Sequence, residues 1–236
     1  MENQIYDYII VGAGSAGSVL ANRLSASGQH RMLVLEAGRE SHPWTRIPVG
    51  FAKMIENPAA NWLYSSEPDE GTGQRRIPVP RGKLLGGSSS INGMVFVRGQ
   101  AQDYDTWAQF GNRGWSYREV LPIFREMESF AGDADDEYRG RDGPLKVSES
   151  NEGGPIYDAL IEAAGQVGIE YTNDYNGAKQ DGIGMTQATI SRGRRMSTAT
   201  CYLDPARRRR NLTIQANALT TSLIIDGKRC VSVRYK

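Results

Sequence analysis

The chain has 236 residues, 28 Lys+Arg against 27 Asp+Glu, and 39% hydrophobic residues. That length allows one or two domains, and the apolar share supports a packed core, which excludes wholesale disorder. A net charge of +1 excludes a generally basic nucleic-acid binder, and no apolar stretch approaches the roughly 18 residues of a membrane span.

Met1 to Gln4 carries no basic region, and Ile5 to Val11 runs straight into glycines rather than into a cleavage site. The expectation is a chain without a secretory leader, cytoplasmic, with peripheral membrane association still compatible. Ile5 to Val11 reads IYDYIIV, the short β-branched run of a buried parallel strand. Gly12-Ala13-Gly14-Ser15-Ala16-Gly17 follows, then Ser18 to Ser27 with Val19, Leu20, Ala21 and Leu24 at helical spacing. Met32 to Leu35 is a second apolar strand, and Glu36 closes it.

Strand, G-x-G-x-x-G turn, helix, strand and acid is the order that a dinucleotide site requires. Gly12 permits the tight turn, Gly14 lets backbone approach a pyrophosphate, and Gly17 lets the helix pack on the strand. The helix N-terminus supplies amides and a favourable dipole for phosphate. Glu36 falls at the spacing for a ribose diol. The turn by itself does not separate FAD from NAD.

Glycine is over-represented, with 27 residues, about 11% against a usual ~7%. A second cluster runs from Arg81 to Gln100 as RGKLLGGSSSINGMVFVRGQ. Gly86 and Gly87 allow irregular backbone, Ser88 to Ser90 supply hydroxyls and Asn92 an amide, a composition suited to wrapping a polar cofactor. The apolar run Met94 to Val97 argues against a plain linker.

Further along, Ser116-Tyr-Arg-Glu119 is a capping box, and Val120, Leu121, Phe124, Met127 and Glu128 continue its helix with one core-facing stripe. Ala131 to Arg141 reads as a surface loop, and Leu145 and Val147 begin a strand. Pro155 to Val167 is a helix with Ile156, Leu160, Ala164 and Val167 inward, capped by Gly168. Gly182 to Ser191 alternates as a strand. Arg207 to Arg210 reads as a solvated helix end, not a nucleic-acid patch, and the Asn211-Leu-Thr213 sequon as chance. Leu212 to Ala216 is a strand, and Leu219 to Ile225 with Cys230 to Tyr235 form a hairpin about Asp226-Gly227. Cys201 and Cys230 are expected as free thiols.

The segment Gly82 to Asp105 closely resembles the first signature of the glucose–methanol–choline (GMC) family of FAD oxidoreductases. Gly82, Lys83, Leu85, Gly86, Gly87, Ser88, Ser89, Ile91, Asn92, Phe96, Gly99 and Asp105 are in register. Asn61-Trp-Leu-Tyr64, Asp103-Tyr-Asp-Thr-Trp107, Gly114-Trp115-Ser116 and Asp142-Gly-Pro-Leu145 extend the likeness, which is nearest to choline-dehydrogenase-like members.

The resemblance implies an α/β fold, an FAD-binding Rossmann-like βαβ unit with a partial antiparallel substrate-side sheet. It implies an FAD domain over residues 1–140, the start of a substrate-side domain over 141–195, and a return to the FAD domain over 196–236. Gly12, Gly14, Ser15, Ala16 and Gly17 would cradle the pyrophosphate, and Glu36 and Ala37 would meet the ribose. Trp62 would lie beside the cofactor, and Arg81, Gly82, Gly87 and Ser88 along its pyrophosphate and ribityl side. Asn92, Gly93, Met94 and Val95 would follow the isoalloxazine, and Thr220 would sit near adenine. FAD would be non-covalent, because Ile91 stands where some members tether it through histidine.

The family's chemistry is hydride transfer from an alcohol carbon to flavin N5, with a histidine as base. Neither histidine here, His30 or His42, has that context, so no catalytic residue and no metal ligand is assigned. The expectation is an N-terminal, cofactor-binding part of an alcohol or choline dehydrogenase or oxidase, inactive alone, whose partners are an alcohol substrate and a C-terminal remainder. The alternatives are a non-catalytic flavin-binding subunit that needs a partner chain, and a nicotinamide-binding Rossmann enzyme.

Overall fold

The computed structural model describes residues 4–150 and 153–236. Of the residues behind the leader reading, Met1 to Asn3 lie outside the described residues.

In chain order the main elements are β1 (Tyr8–Val11), α1 (Ser15–Leu24), β2 (Met32–Leu35), α2 (Ala101–Gln109) and α3 (Tyr117–Met127). They continue with β3 (Glu128–Ala131), β4 (Leu145–Glu149), α4 (Pro155–Gln166), β5 (Gln187–Ala188), β6 (Leu212–Gln215), β7 (Thr220–Asp226) and β8 (Arg229–Tyr235). They divide between two compact units, Met1–Gly93 with Gly193–Lys236, and Met94–Arg192. The break comes at Gly93, not between residues 140 and 141. A cut there would separate β3 from β4, which pair in parallel from Glu128↔Leu145 to Ala131↔Ser148.

In the first unit β2 is the central strand, in parallel with β1 on one side and β6 on the other. Its four residues, MLVL, are all buried, as an apolar strand between two neighbours should be. α1 crosses from β1 to β2 and packs Ala21 into a cluster with Ile10, Met32, Val34, Leu203 and Leu212. β1 departs from its reading as a buried strand. Only Ile10 is buried, because β1 has one neighbour among the described strands, and Tyr8, Ile9 and Val11 stay exposed. β7 and β8 form the expected hairpin, with Gly227 at φ +59° in its turn.

In the second unit β4 pairs in parallel with β3 and antiparallel with β5, so this sheet is mixed rather than antiparallel throughout. α3 opens on the expected capping box, Glu119 accepting from the Ser116 amide at 3.1 Å. It ends at Met127, and Glu128 begins β3 instead of continuing the helix. The 131–141 loop also carries a fully buried Arg139, bonded to Glu128 and Asp174. α4 forms where expected, and Gly168 takes φ +81° just past its end. Its inward stripe reduces to Ala164, with Ile156, Leu160 and Val167 exposed. Gly182 to Ser191 is broken into short pieces rather than one strand. Among the described residues no helix is long and apolar enough to cross a membrane, and both cysteines are free.

Candidate cofactor site

Gly12 leaves β1 at φ +90°, a left-handed turn that a side chain would strain. A Cβ on Gly17 would stand 1.9 Å from the Gly12 carbonyl oxygen, so only glycine lets α1 sit this close to the strand. A Cβ on Gly14 would meet only the Gly87 Cα, at 4.0 Å. Gly14 therefore presents bare backbone to open space at the N-cap of α1, which has no side-chain cap. Uncapped amides at that end are a ready anion site.

The second glycine cluster folds onto the first. Gly86 N–H donates to Ala13 O at 2.7 Å, and a Cβ on Gly87 would lie 2.7 Å from Gly14 Cα. Gly82 abuts Gly87 in turn, where a Cβ would stand 2.1 Å from the Gly87 carbonyl oxygen. Its amide donates to Ser88 Oγ at 3.1 Å.

Glu36 is 5% exposed. Its carboxylate accepts from Ala13 N–H and Gly38 N–H, both at 2.9 Å, and so ties the glycine turn to the end of β2. Burial raises its pKa above the usual carboxylate value, against the lowering pull of the Gly38 and Ala13 amides and Lys83. Gly38 carries a constraint the sequence reading did not mark: a Cβ there would stand 1.8 Å from Lys83 O.

These residues line an open cleft of about 380 Å³. Gly12, Gly14, Ser15, Glu36, Ala37, Trp62, Arg81, Gly82, Gly87 and Ser88 line it, as do Ala218, Leu219 and Thr220. Ala218 and Leu219 escaped sequence reading, because they are plain apolar residues with no motif. Trp62 is half-buried, with Lys83 Nζ 4.7 Å from its ring centroid and Tyr64 stacked at 5.8 Å. Ala16 and Gly17 sit inside the first turn of α1 and do not line the cleft.

The expected isoalloxazine segment is divided between the units. Asn92 and Gly93 are exposed residues of the first, and Met94 and Val95 open the second. Met94 is buried at φ +66°, uncommon for a residue with a side chain, and its carbonyl accepts from Thr189 N–H at 2.9 Å. Val95 is exposed. Ile91 points into the core with Met54, Ala60 and Leu84.

A parallel βαβ unit with a glycine turn, an acid at the end of β2 and a second glycine loop folded over the first defines a dinucleotide-binding protein. Residues 6–236 match the family described as GMC oxidoreductase, and the chain belongs to that family. It is 46% identical over 237 residues to an oxygen-dependent choline dehydrogenase of Photobacterium profundum, matching 99% of this chain and 42% of that protein. Among solved structures it superposes on pyridoxine 4-oxidase from Mesorbium loti with a TM-score of 0.90 and 33% identity, over 96% of this chain and 45% of that one. An FAD-dependent oxidoreductase from Chaetomium thermophilum matches with a TM-score of 0.88 and 29% identity, over 98% of this chain and 42% of that one. The chain thus spans about 42% of the length of the choline dehydrogenase it matches.

Proposed function

We propose that the cleft binds FAD and that this chain is the cofactor-binding part of an oxidoreductase acting on CH–OH groups. The observation that carries it is the meeting of the two glycine segments at Gly14 and Gly87 beside buried Glu36. Bare backbone, helix-end amides and a carboxylate in one cleft fit a pyrophosphate flanked by a ribose. Bound there, FAD would supply the hydride acceptor, N5. The residues here bind and orient it: the turn amides and the end of α1 at the phosphates, Glu36 and Ala37 at the ribose, Asn92 to Val95 at the ring. Similarity to choline dehydrogenases makes choline the first alcohol to test in the longer protein.

FAD is held non-covalently, since Ile91 has no nucleophile and its side chain is packed in the core. The test is reconstitution with FAD and, separately, with NAD, followed by acid precipitation. The expected result is a yellow protein whose colour moves to the supernatant. Colour in the pellet would overturn the non-covalent reading, and a chain that takes up NAD but not FAD would overturn the cofactor itself.

A further inference from the structure

Arg195 is one of the largest fully buried side chains in the chain, 2% exposed. It lies in the stretch Gly193–Lys236 that returns to the first unit, against the serine–glycine loop of that same unit. Among the described residues, its side-chain hydrogen bonds all leave from one nitrogen. Nη1 donates to Asn92 O at 2.7 Å, Asn92 Oδ1 at 2.8 Å and Ser89 O at 3.2 Å. Nε and Nη2 are buried with no acceptor among the described residues.

No carboxylate pairs with the guanidinium among the described residues; the ion pairs there belong to other arginines and a lysine. Burial alone lowers its pKa to about 10, which still leaves it charged at neutral pH. An unpaired cation in the interior is costly, and three neutral oxygens do not offset its desolvation. An apolar side chain of similar volume would avoid that cost, so packing gives no reason for arginine here.

The segment it grips supplies a reason. Asn92 is held by both its main-chain and side-chain oxygens, and it is the exposed residue assigned to the flavin ring under the FAD reading, on which this inference rests. Two-electron reduction of flavin takes up two electrons and one proton and leaves an anion when N1 is deprotonated. A buried charge bonded to the residue assigned to the ring is weakly screened, and would favour that anion over the neutral oxidised form.

We infer that Arg195 is a positioning residue that fixes Asn92 and acts as the buried cation of the flavin site, making the site bind reduced flavin more tightly than oxidised flavin. It acts through Asn92 and through its charge.

The experiment uses the 236-residue chain reconstituted with FAD. The dissociation constant of oxidised FAD is measured by titration, and the two-electron potential by equilibration with reference dyes under dithionite. In Arg195→Met the preference for reduced over oxidised FAD should fall about tenfold or more. A tenfold fall is a potential lower by about 30 mV for a two-electron couple. Affinity for oxidised FAD should change less than the preference does. Arg195→Lys keeps the charge and should hold the preference within about threefold of the parent, even if Asn92 loosens.

An Arg195→Met chain that binds FAD at the parent potential overturns the inference. So does an Arg195→Lys chain that folds, binds FAD and loses the preference tenfold, a result that also decides the matter should Arg195→Met not fold. A parent chain that takes up no FAD overturns the cofactor reading, and this inference with it.

Discussion

Gly14 and Gly17 stand three residues apart and answer to different neighbours. A methyl on Gly17 collides with Gly12 O at 1.9 Å, backbone against backbone, so Gly17→Ala should destabilise the chain by about 1–3 kcal/mol in urea unfolding. A methyl on Gly14 meets only Gly87 Cα at 4.0 Å. Gly14→Ala should leave the urea midpoint within error of the parent and weaken FAD binding about tenfold or more, as the methyl occupies the approach of the pyrophosphate. Equal FAD affinity in a folded Gly14→Ala chain would remove Gly14 from the site. Glu36 makes a different prediction. Its pKa is raised in the folded chain, chiefly by burial, above the ordinary value of 4.5. The stability linked to its proton is therefore fully present below pH 4.5 and lost as pH rises through the higher folded value. Measured against Glu36→Gln, which does not titrate, the parent should lose stability between pH 4.5 and neutrality. A parent that gains on the variant over that range would contradict the sign. These residues were legible because each glycine and the acid carry a spacing with one physical purpose. Gly38 and Arg195 were not legible, because a close approach to Lys83 and a burial against Asn92 exist only after folding.

At the scale of elements, the second unit is held by charge where its sequence suggested solvent. Glu128 and Arg139 are fully buried. Glu128 Oε1 accepts from Arg98 Nη2 at 2.7 Å and from Arg139 Nε at 2.8 Å. Arg139 Nη1 reaches Asp174 Oδ1 at 2.7 Å and Gln187 Oε1 at 2.9 Å. The same network fixes the irregular segment that follows Val95. Asn176 accepts from Arg98 N–H at 2.7 Å and donates to Phe96 O at 3.1 Å. Removing one partner of a buried pair strands the other charge, so Glu128→Ala should cost about 3–5 kcal/mol. Glu67→Ala, which breaks only the exposed pair with Arg76 at 3.3 Å, should cost under about 1 kcal/mol. Two urea midpoints test the contrast, and equal losses would mean that Glu128 is effectively solvated. Periodicity could not show this. Glu128 continues the stripe of α3 by its spacing, yet it opens β3 because its neighbours Ser129, Phe130 and Ala131 pair with β4. The stripe of α4 misled in the opposite direction, because Ile156 and Leu160 read as inward and are exposed. Local pattern sets where a helix forms, whereas which face is covered depends on chain far away in sequence.

For the whole molecule, the question is what this chain does once FAD is bound. Alcohol oxidation needs a group near neutrality to take the hydroxyl proton, and histidine is the usual choice. The chain has two histidines. His30 lies edge-on to Tyr8 with ring centroids 5.3 Å apart. His42 caps a short helical turn, its Nδ1 accepting from Trp44 N–H at 3.3 Å and its Nε2 lying 3.3 Å from Asn57 Nδ2. Neither lines the cleft that Gly14 and Glu36 form. Losing a general base removes about 10²–10⁴ in rate, and losing substrate positioning removes more. The FAD-loaded chain should therefore reduce an acceptor dye with choline or primary alcohols at well below about 0.1 per second, against the ~1–10³ per second ordinary for enzymes. The assay must use monodisperse protein, because Tyr8, Ile9 and Val11 on β1 and Leu223, Ile225 and Val231 on the hairpin are exposed apolar strand residues that invite association. Ile225→Lys with Val231→Lys should reduce that association in sedimentation without touching the cleft, since neither residue lines it. Turnover near one per second in that background would mean that His30, His42 or another residue of these 236 serves as the base. The chain would then be an enzyme by itself, and not the cofactor-binding part of one.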